Sequence, residues 1–355
     1  MHWEAFKVML QRTSATDAET GDVRALRACI GFVNAPSRAA GTWLPRWVRR
    51  IIACGCAGTI SMALASAAAP VPQVVAPGVY LLMGHDQATA TSDARRAANI
   101  AFVVGPRGVV VVDTGISFLQ GEEIIHAVTS VTRRPIRLAV MTHPSQEVVF
   151  GAAAFQARGI PVLMHRTSAA LMAARCETCL RRLTDTLGAA AMRGTRVVSP
   201  DQVVDGSQWI DPIGRPLLLI APSHGSAPGA LAVLDPTTRT LIAGSLASID
   251  SVPDMRDADG KSWRGALAML EATRCVHLVP AYGKAGSCAQ IAGLDGYFAA
   301  LDRRVRELRD SGVGLAELPA RCELPEFAGW NRYGELHVQN ANHVYLRMER
   351  ASFEN

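Results

Sequence analysis

The sequence is poor in charge, and most of what it excludes follows from that and from a few missing patterns. Only 19% of its 355 residues are charged while 49% are hydrophobic. It therefore lacks the high charge of a disordered chain. It has no Gly-X-Y period, no internal repeat and no low-complexity segment beyond an Ala-rich stretch near residue 65, which excludes a fibrous protein. No Gly-x-Gly-x-x-Gly follows a strand-like run, so a nucleotide is not indicated. Residues 69–355 hold no Lys/Arg-rich run interleaved with aromatics, so nucleic acid is not expected as a partner. The net charge of +5 is an N-terminal matter: residues 1–68 hold eight Lys or Arg and four Asp or Glu, which leaves +1 for residues 69–355.

What is present begins with a targeting pattern. Arg46, Arg49 and Arg50 precede the uncharged run Ile51–Leu64 and then Ala65-Ser66-Ala67-Ala68-Ala69-Pro70. A basic region, a short apolar region and an Ala-x-Ala site read as a secretory signal over residues 46–69. The rival, a membrane anchor, needs roughly 20 predominantly apolar residues, and Gly55, Gly58, Thr59 and Ser61 dilute a run that is already shorter. The expectation is a periplasmic protein with no stable membrane anchor after cleavage. Residues 1–45 fit neither pattern and are expected to be a non-native or unstructured extension, with the true start near Leu44 or Val48.

Cleavage after Ala67 would leave Cys176, Cys179, Cys275, Cys288 and Cys322, which an exported chain can oxidise. Cys176-x-x-Cys179 lies in a stretch of helical periodicity. A zinc ribbon would need a second such pair, and a thioredoxin-like pair needs a preceding strand and a helix N-terminus. A structural disulfide or buried thiols is the plainer expectation.

The body alternates apolar β-branched runs with helical spacing. Strands are expected at Val74-Val75, Val79–Leu82, Ile100–Val104, Val109–Val112, Ile136–Met141, Ile160–Met164, Pro216–Ile220, Leu231–Leu234, Thr240–Ala243 and His277–Val279. Helices are expected at Gly121–Thr132, Phe150–Arg158, around Cys176 and at Leu294–Leu308, and a Pro/aromatic-rich tail closes the chain. Strands interspersed with helices throughout give an α/β layered architecture. His277, in an apolar strand, is expected to be a core histidine. His337, Asn340 and His343 are expected to pack or face solvent, and the group Asp250, Asp254, Asp257 and Asp259 lacks calcium-loop spacing and is expected in a solvated loop over the site.

Polar residues where strands end are where chemistry collects in layered folds. Here these segments are Val112-Asp113-Thr114-Gly115, the run from Thr142 to Gly151, the run from Pro222 to Gly229, Ala243-Gly244-Ser245-Leu246 and Val279-Pro280-Ala281-Tyr282-Gly283. In this order they resemble the metallo-β-lactamase superfamily, over roughly residues 76–350. The resemblance implies an αββα sandwich that binds one or two zinc ions between its sheet edges. The Cys176-x-x-Cys179 helix, Asp259-Gly260-Lys261-Ser262-Trp263 and the tail from Leu324 to Tyr333 with His337 and Asn340 are similar to the periplasmic branch called quinoprotein relay system zinc metallohydrolases, related to the sulfur-oxidation-cluster hydrolases. That branch implies a place beside pyrroloquinoline-quinone-dependent alcohol oxidation.

The family's ligand pattern His-x-His-x-Asp-His falls here on His143, Ser145, Glu147 and Val148; its later His is His224, its bridging Asp is Ser245 and its last His is Tyr282. The resemblance leaves His143, His224 and Glu147 as the one weak metal set that can be built, so zinc is expected as a single ion at most, or not at all. Ser145, Val148, Ser245 and Tyr282 line the site, Asp113 makes a structural turn that orients the ligand loops, and His85 and Asp86 are further cleft candidates. Two functions follow: a hydrolase of an ester, thioester or related small molecule, or a non-catalytic descendant that binds a small molecule or a partner of the quinoprotein system. The sequence leaves open whether the protein is an enzyme.

Overall fold

The computed structural model describes residues 71–84 and 98–353. The expected extension, the signal segment 46–69, and His85 and Asp86 lie outside the described residues. Strands form where apolar β-branched runs are covered on both faces. β4 (Gly108–Val112) is buried at all five positions, and β3 (Ile100–Gly105) and β5 (Ile136–Met141) are buried over most of their length.

The first sheet runs β1 (Gln73–Ala76), β2 (Val79–Leu82), β3, β4, β5, β6 (Val162–His165) and β7 (Gln202–Val204). It is antiparallel as far as β4 and parallel from β4 to β7. The second sheet contains β8 (Gln208–Ile210), β9 (Leu217–Ile220), β10 (Ala232–Asp235), β11 (Thr240–Gly244), β12 (His277–Pro280) and β13 (Gly286–Ser287), spatially in that order. Only β11 and β12 pair in parallel there.

Three apolar layers hold four structural layers together. Between the sheets, Val79, Val103, Val110, Val140 and Leu163 pack with Leu217, Leu219, Leu231, Val233 and Ile242. The outer face of the first sheet is covered by α1 (Phe118–Val131), α2 (Gln146–Val149), α3 (Ala152–Ala157) and α4 (Arg166–Leu187). The outer face of the second is covered by α5 (Gly260–Ala272), α6 (Ile291–Asp310) and α7 (Tyr333–Phe353). This is the expected αββα sandwich.

Two details depart from the sequence reading. The Pro/aromatic tail is largely helical: α7 runs for 21 residues. His277 is half-buried rather than core, and lines an open cavity of about 540 Å³ between the edge strands β1 and β13 together with Lys284. None of the expected site residues that the structure describes lines that cavity. Of the two readings left for Cys176 and Cys179, thiols hold: both are free inside α4, Cys176 buried, and the disulfide joins Cys275 to Cys288. Burial pushes the Cys176 thiol up to about 11, so it is an unreactive thiol. Among the described residues no helix is long and apolar enough to cross a membrane.

Candidate functional site

The site is assembled where β4, β5, β11 and β12 end. After β4 the chain turns sharply at Asp113, whose φ of +69° lies in the left-handed region that Asp tolerates better than most residues. That turn clamps α2: Thr114 donates to the Val148 carbonyl through its backbone N–H (2.9 Å) and its hydroxyl (2.6 Å), and the Gly151 N–H donates to the Gly115 carbonyl at 2.9 Å. The Asp113 carboxyl reaches across to β5 and accepts from the Thr142 N–H at 2.8 Å and from the Thr142 hydroxyl at 2.9 and 3.0 Å. Burial pushes its pKa up to about 7 against those two donors.

The same hydroxyl lies 2.8 Å from His143 Nδ1. His143 is 5% exposed, and burial pushes it down to about 4, so it is neutral at pH 7. Two residues on, Ser145 opens α2 and its hydroxyl donates to Glu147 Oε2 while Gln146 Nε2 donates to Glu147 Oε1 at 3.3 Å. Val148 is fully buried and packs in the helix layer beside Met172 and Cys176, where it presents no donor atom.

Tyr282 follows β12 on a loop fixed by Asn99. The Asn99 amide donates to the carbonyls of Pro280 (2.8 Å) and Gly283 (2.7 Å), and its backbone N–H donates to Ala281 at 2.7 Å. The phenol neighbours Ser145 and Glu147; burial and the nearby Glu147 charge raise its pKa, so it stays protonated. The guanidinium carbon of Arg332 sits 5.3 Å from the centre of the Tyr282 ring and is held there by Glu335 at 3.1 and 3.2 Å. Arg332 and Arg256 are both within electrostatic reach of Glu147.

The other two positions bond elsewhere. His224 is half-buried with Nε2 2.9 Å from the Asp257 carbonyl, and Asp257 is itself ion-paired to Arg175 of α4 at 2.9 Å. Ser245 pairs its hydroxyl with Ser226. The neighbouring Gly244 lets β11 approach Thr142 closely: at φ +53° an added Cβ would stand 2.5 Å from Thr142 Oγ1. Of the group Asp250, Asp254, Asp257 and Asp259, only the last joins an element, as N-cap of α5, accepting from the Ser262 N–H at 3.1 Å.

Two hydrogen-bonded groups result, Asp113–Thr142–His143 and Ser145–Glu147–Gln146, with Tyr282 beside the second, while His224 and Ser245 belong to neither. Among the described residues no three His, Cys, Asp or Glu side chains are grouped so as to hold a metal ion. Thr142, Asn99, Ser226 and Arg332 were not legible as site residues. Thr142 carried the one available signal, a polar residue at a strand end.

A four-layer sandwich with polar side chains gathered at the strand ends of both sheets defines an αββα class of α/β protein. A family model for the metallo-beta-lactamase superfamily matches residues 94–282. The chain belongs to the metallo-beta-lactamase superfamily. Its fold is similar to the metallo-beta-lactamase from Pontibacter korlensis (20% identity over 64% of this chain and 98% of that one, TM-score 0.54). It is also similar to the metallo-beta-lactamase from Hirschia baltica (17% identity over 64% and 96%, TM-score 0.52). A double mutant of the sec-alkyl sulfatase PisA1 covers more of this chain, 79% against half of its own, at 18% identity and a TM-score of 0.63. At these identities the likeness concerns the fold. No curated protein matches the chain.

Proposed function

We propose that this chain is a periplasmic member of the superfamily whose cleft binds a small molecule without the family's metal. One observation carries the reading: the three remaining donors do not converge. Among the described residues, His143, His224 and Glu147 are not grouped so as to hold a metal ion. A zinc site takes three or four nitrogen, sulfur or oxygen ligands at about 2.0–2.3 Å. Hydroxyls at 145 and 245, a buried isopropyl at 148 and a protonated phenol at 282 do not fit that need. The hydrolytic nucleophile that a metal would generate from water is therefore not part of this reading.

The finer setting rests on the sequence. The pattern over residues 46–69 supports export to the periplasm, without a stable membrane anchor and without nucleic acid as partner. The similarity of the Cys176 helix, the Asp259–Trp263 segment and the tail to the quinoprotein relay branch supports a partner in pyrroloquinoline-quinone-dependent alcohol oxidation. The test is to purify the chain from a periplasmic expression host without chelator and to measure zinc, iron and manganese. No metal above background, even after zinc addition, is the expected result. About one ion per chain, lost in His143→Ala, would replace this reading with a one-metal hydrolase.

A further inference from the structure

We propose that Ser145, Glu147 and Tyr282 form a metal-independent nucleophilic site that hydrolyses small carboxylic esters, with Ser145 as the attacking group. The proposal rests on the reading that the cleft works without metal, and adds chemistry to it. A usable serine needs a base within hydrogen-bonding reach, and that base needs a third group to orient it. Here the Ser145 hydroxyl donates to one oxygen of Glu147 while the Gln146 amide holds the other at 3.3 Å.

The hydroxyl is also not spent on structure. Ser145 occupies the N-cap position of α2, yet its side chain makes no capping bond. It is half-buried, so a ligand can reach it, and it stands between strand β5 and helix α2. Tyr282 stands beside Ser145 and Glu147 from the end of β12 in the opposite sheet, and its ring is fixed by Arg332 at 5.3 Å. Tyr282 is thus a donor for the oxygen that becomes negative during attack.

The step balances without a further reactant. Ser145 Oγ bonds to the acyl carbon, its proton passes to Glu147 Oε2, and the carbonyl π pair moves onto the oxygen, to which Tyr282 donates. Collapse breaks the bond to the leaving alkoxide, which takes the proton from Glu147. Water then attacks the acyl-serine with Glu147 again accepting its proton; the carboxylic acid leaves and Ser145 regains its hydrogen.

The test uses the full chain, a fluorophosphonate probe and p-nitrophenyl acetate, with and without a chelator. Expected are one adduct per chain, on the peptide holding Ser145, and ester turnover that the chelator leaves unchanged. Ser145→Ala, which removes no cap bond and should fold with an unchanged circular-dichroism spectrum, is expected to abolish both. Glu147→Gln is expected to lower kcat/KM by about a hundredfold or more. Chelator-insensitive turnover that survives Ser145→Ala, or neither adduct nor turnover in a metal-free protein, overturns the nucleophile but leaves the metal-free cleft. Turnover lost to the chelator and restored by zinc overturns both.

Discussion

Thr142 has one hydroxyl proton and two claimants for it, the Asp113 carboxyl at 2.9 Å and His143 Nδ1 at 2.8 Å. Both neighbours are displaced from their solution behaviour by burial, in opposite senses. Asp113 is raised to about 7, so the folded state binds a proton that the unfolded chain has already released. Its contribution is fully present below about pH 4 and is lost as the pH rises to about 7. His143 is lowered to about 4, so the unfolded chain binds a proton that the folded state refuses. Its contribution is present above about pH 6.5 and is lost as the pH falls to about 4. Between about pH 4 and 6.5 the two slopes, each about 1.4 kcal/mol per pH unit, oppose one another. Wild type is expected to show little net slope from this pair. In Asp113→Asn, which keeps a residue at ease in the left-handed turn, stability should fall as the pH drops from 6.5 to 4. In His143→Gln it should fall as the pH rises from 4 to 7. Urea midpoints across that range check both, and parallel profiles for the three proteins would refute the paired shifts. Asn99 has a plainer role, since its amide is the donor to two carbonyls of the Tyr282 loop. Asn99→Ala leaves both without that donor and should cost about 2–3 kcal/mol, read from the same midpoints.

At the scale of elements, the site stands because α2 and α3 are wedged against the Asp113 turn. The wedge closes at Gly151, where an added Cβ would lie 1.8 Å from the Thr114 carbonyl oxygen. Gly151→Ala must therefore push the turn and the helix apart, at about 3 kcal/mol or more. Gly159→Ala is the contrast: its φ is +69° but the space around it is open, so only the left-handed cost of about 1–2 kcal/mol applies. Thermal melts of the two variants should differ in that order. On the far side of the cleft, Asn340 of α7 fastens the loop before α5 by donating to the Pro253 carbonyl at 2.8 Å and accepting from the Met255 N–H at 3.1 Å. Asn340→Ala should expose the Met255 amide to exchange and cost about 2–4 kcal/mol. These anchors also explain which elements could be read from sequence. β5 was legible residue for residue because a strand covered on both faces is a continuous apolar run. α7 was not, because two of its buried positions are His337 and Asn340, and polar residues in the buried stripe erase the helical hydrophobic period. β7, β8 and β13 are three residues or fewer, too short for any alternation to show.

For the whole molecule, the decisive contacts join parts of the chain that no spacing rule connects. Asn99 meets Pro280 across 181 residues, and Arg332 covers a tyrosine fifty positions earlier in the chain. The strand-end residues of the site were readable, since polar side chains after apolar runs announce themselves; the residues that hold them were not. Cysteine usage shows the same division: the sequence offered the Cys176 and Cys179 pair, whereas the fold brings Cys275 and Cys288 to a Cα separation of 5.8 Å. The loop they close contains β12 and Tyr282, so the disulfide bounds the wall of the cleft that lies on the second sheet. Closing a loop with a sequence separation of 13 restricts the unfolded chain by about 3 kcal/mol on the chain-entropy account. Dithiothreitol should therefore lower the melting temperature of wild type to that of the Cys275→Ser, Cys288→Ser double variant and leave the double variant unmoved. Among the described free cysteines, Cys176 and Cys322 are buried, so alkylation of the folded, oxidised protein should reach Cys179 before either of them. Equal melting of reduced and oxidised wild type would mean that the β12 loop is held by Asn99 and the strand pairing alone. The disulfide would then contribute nothing to the cleft.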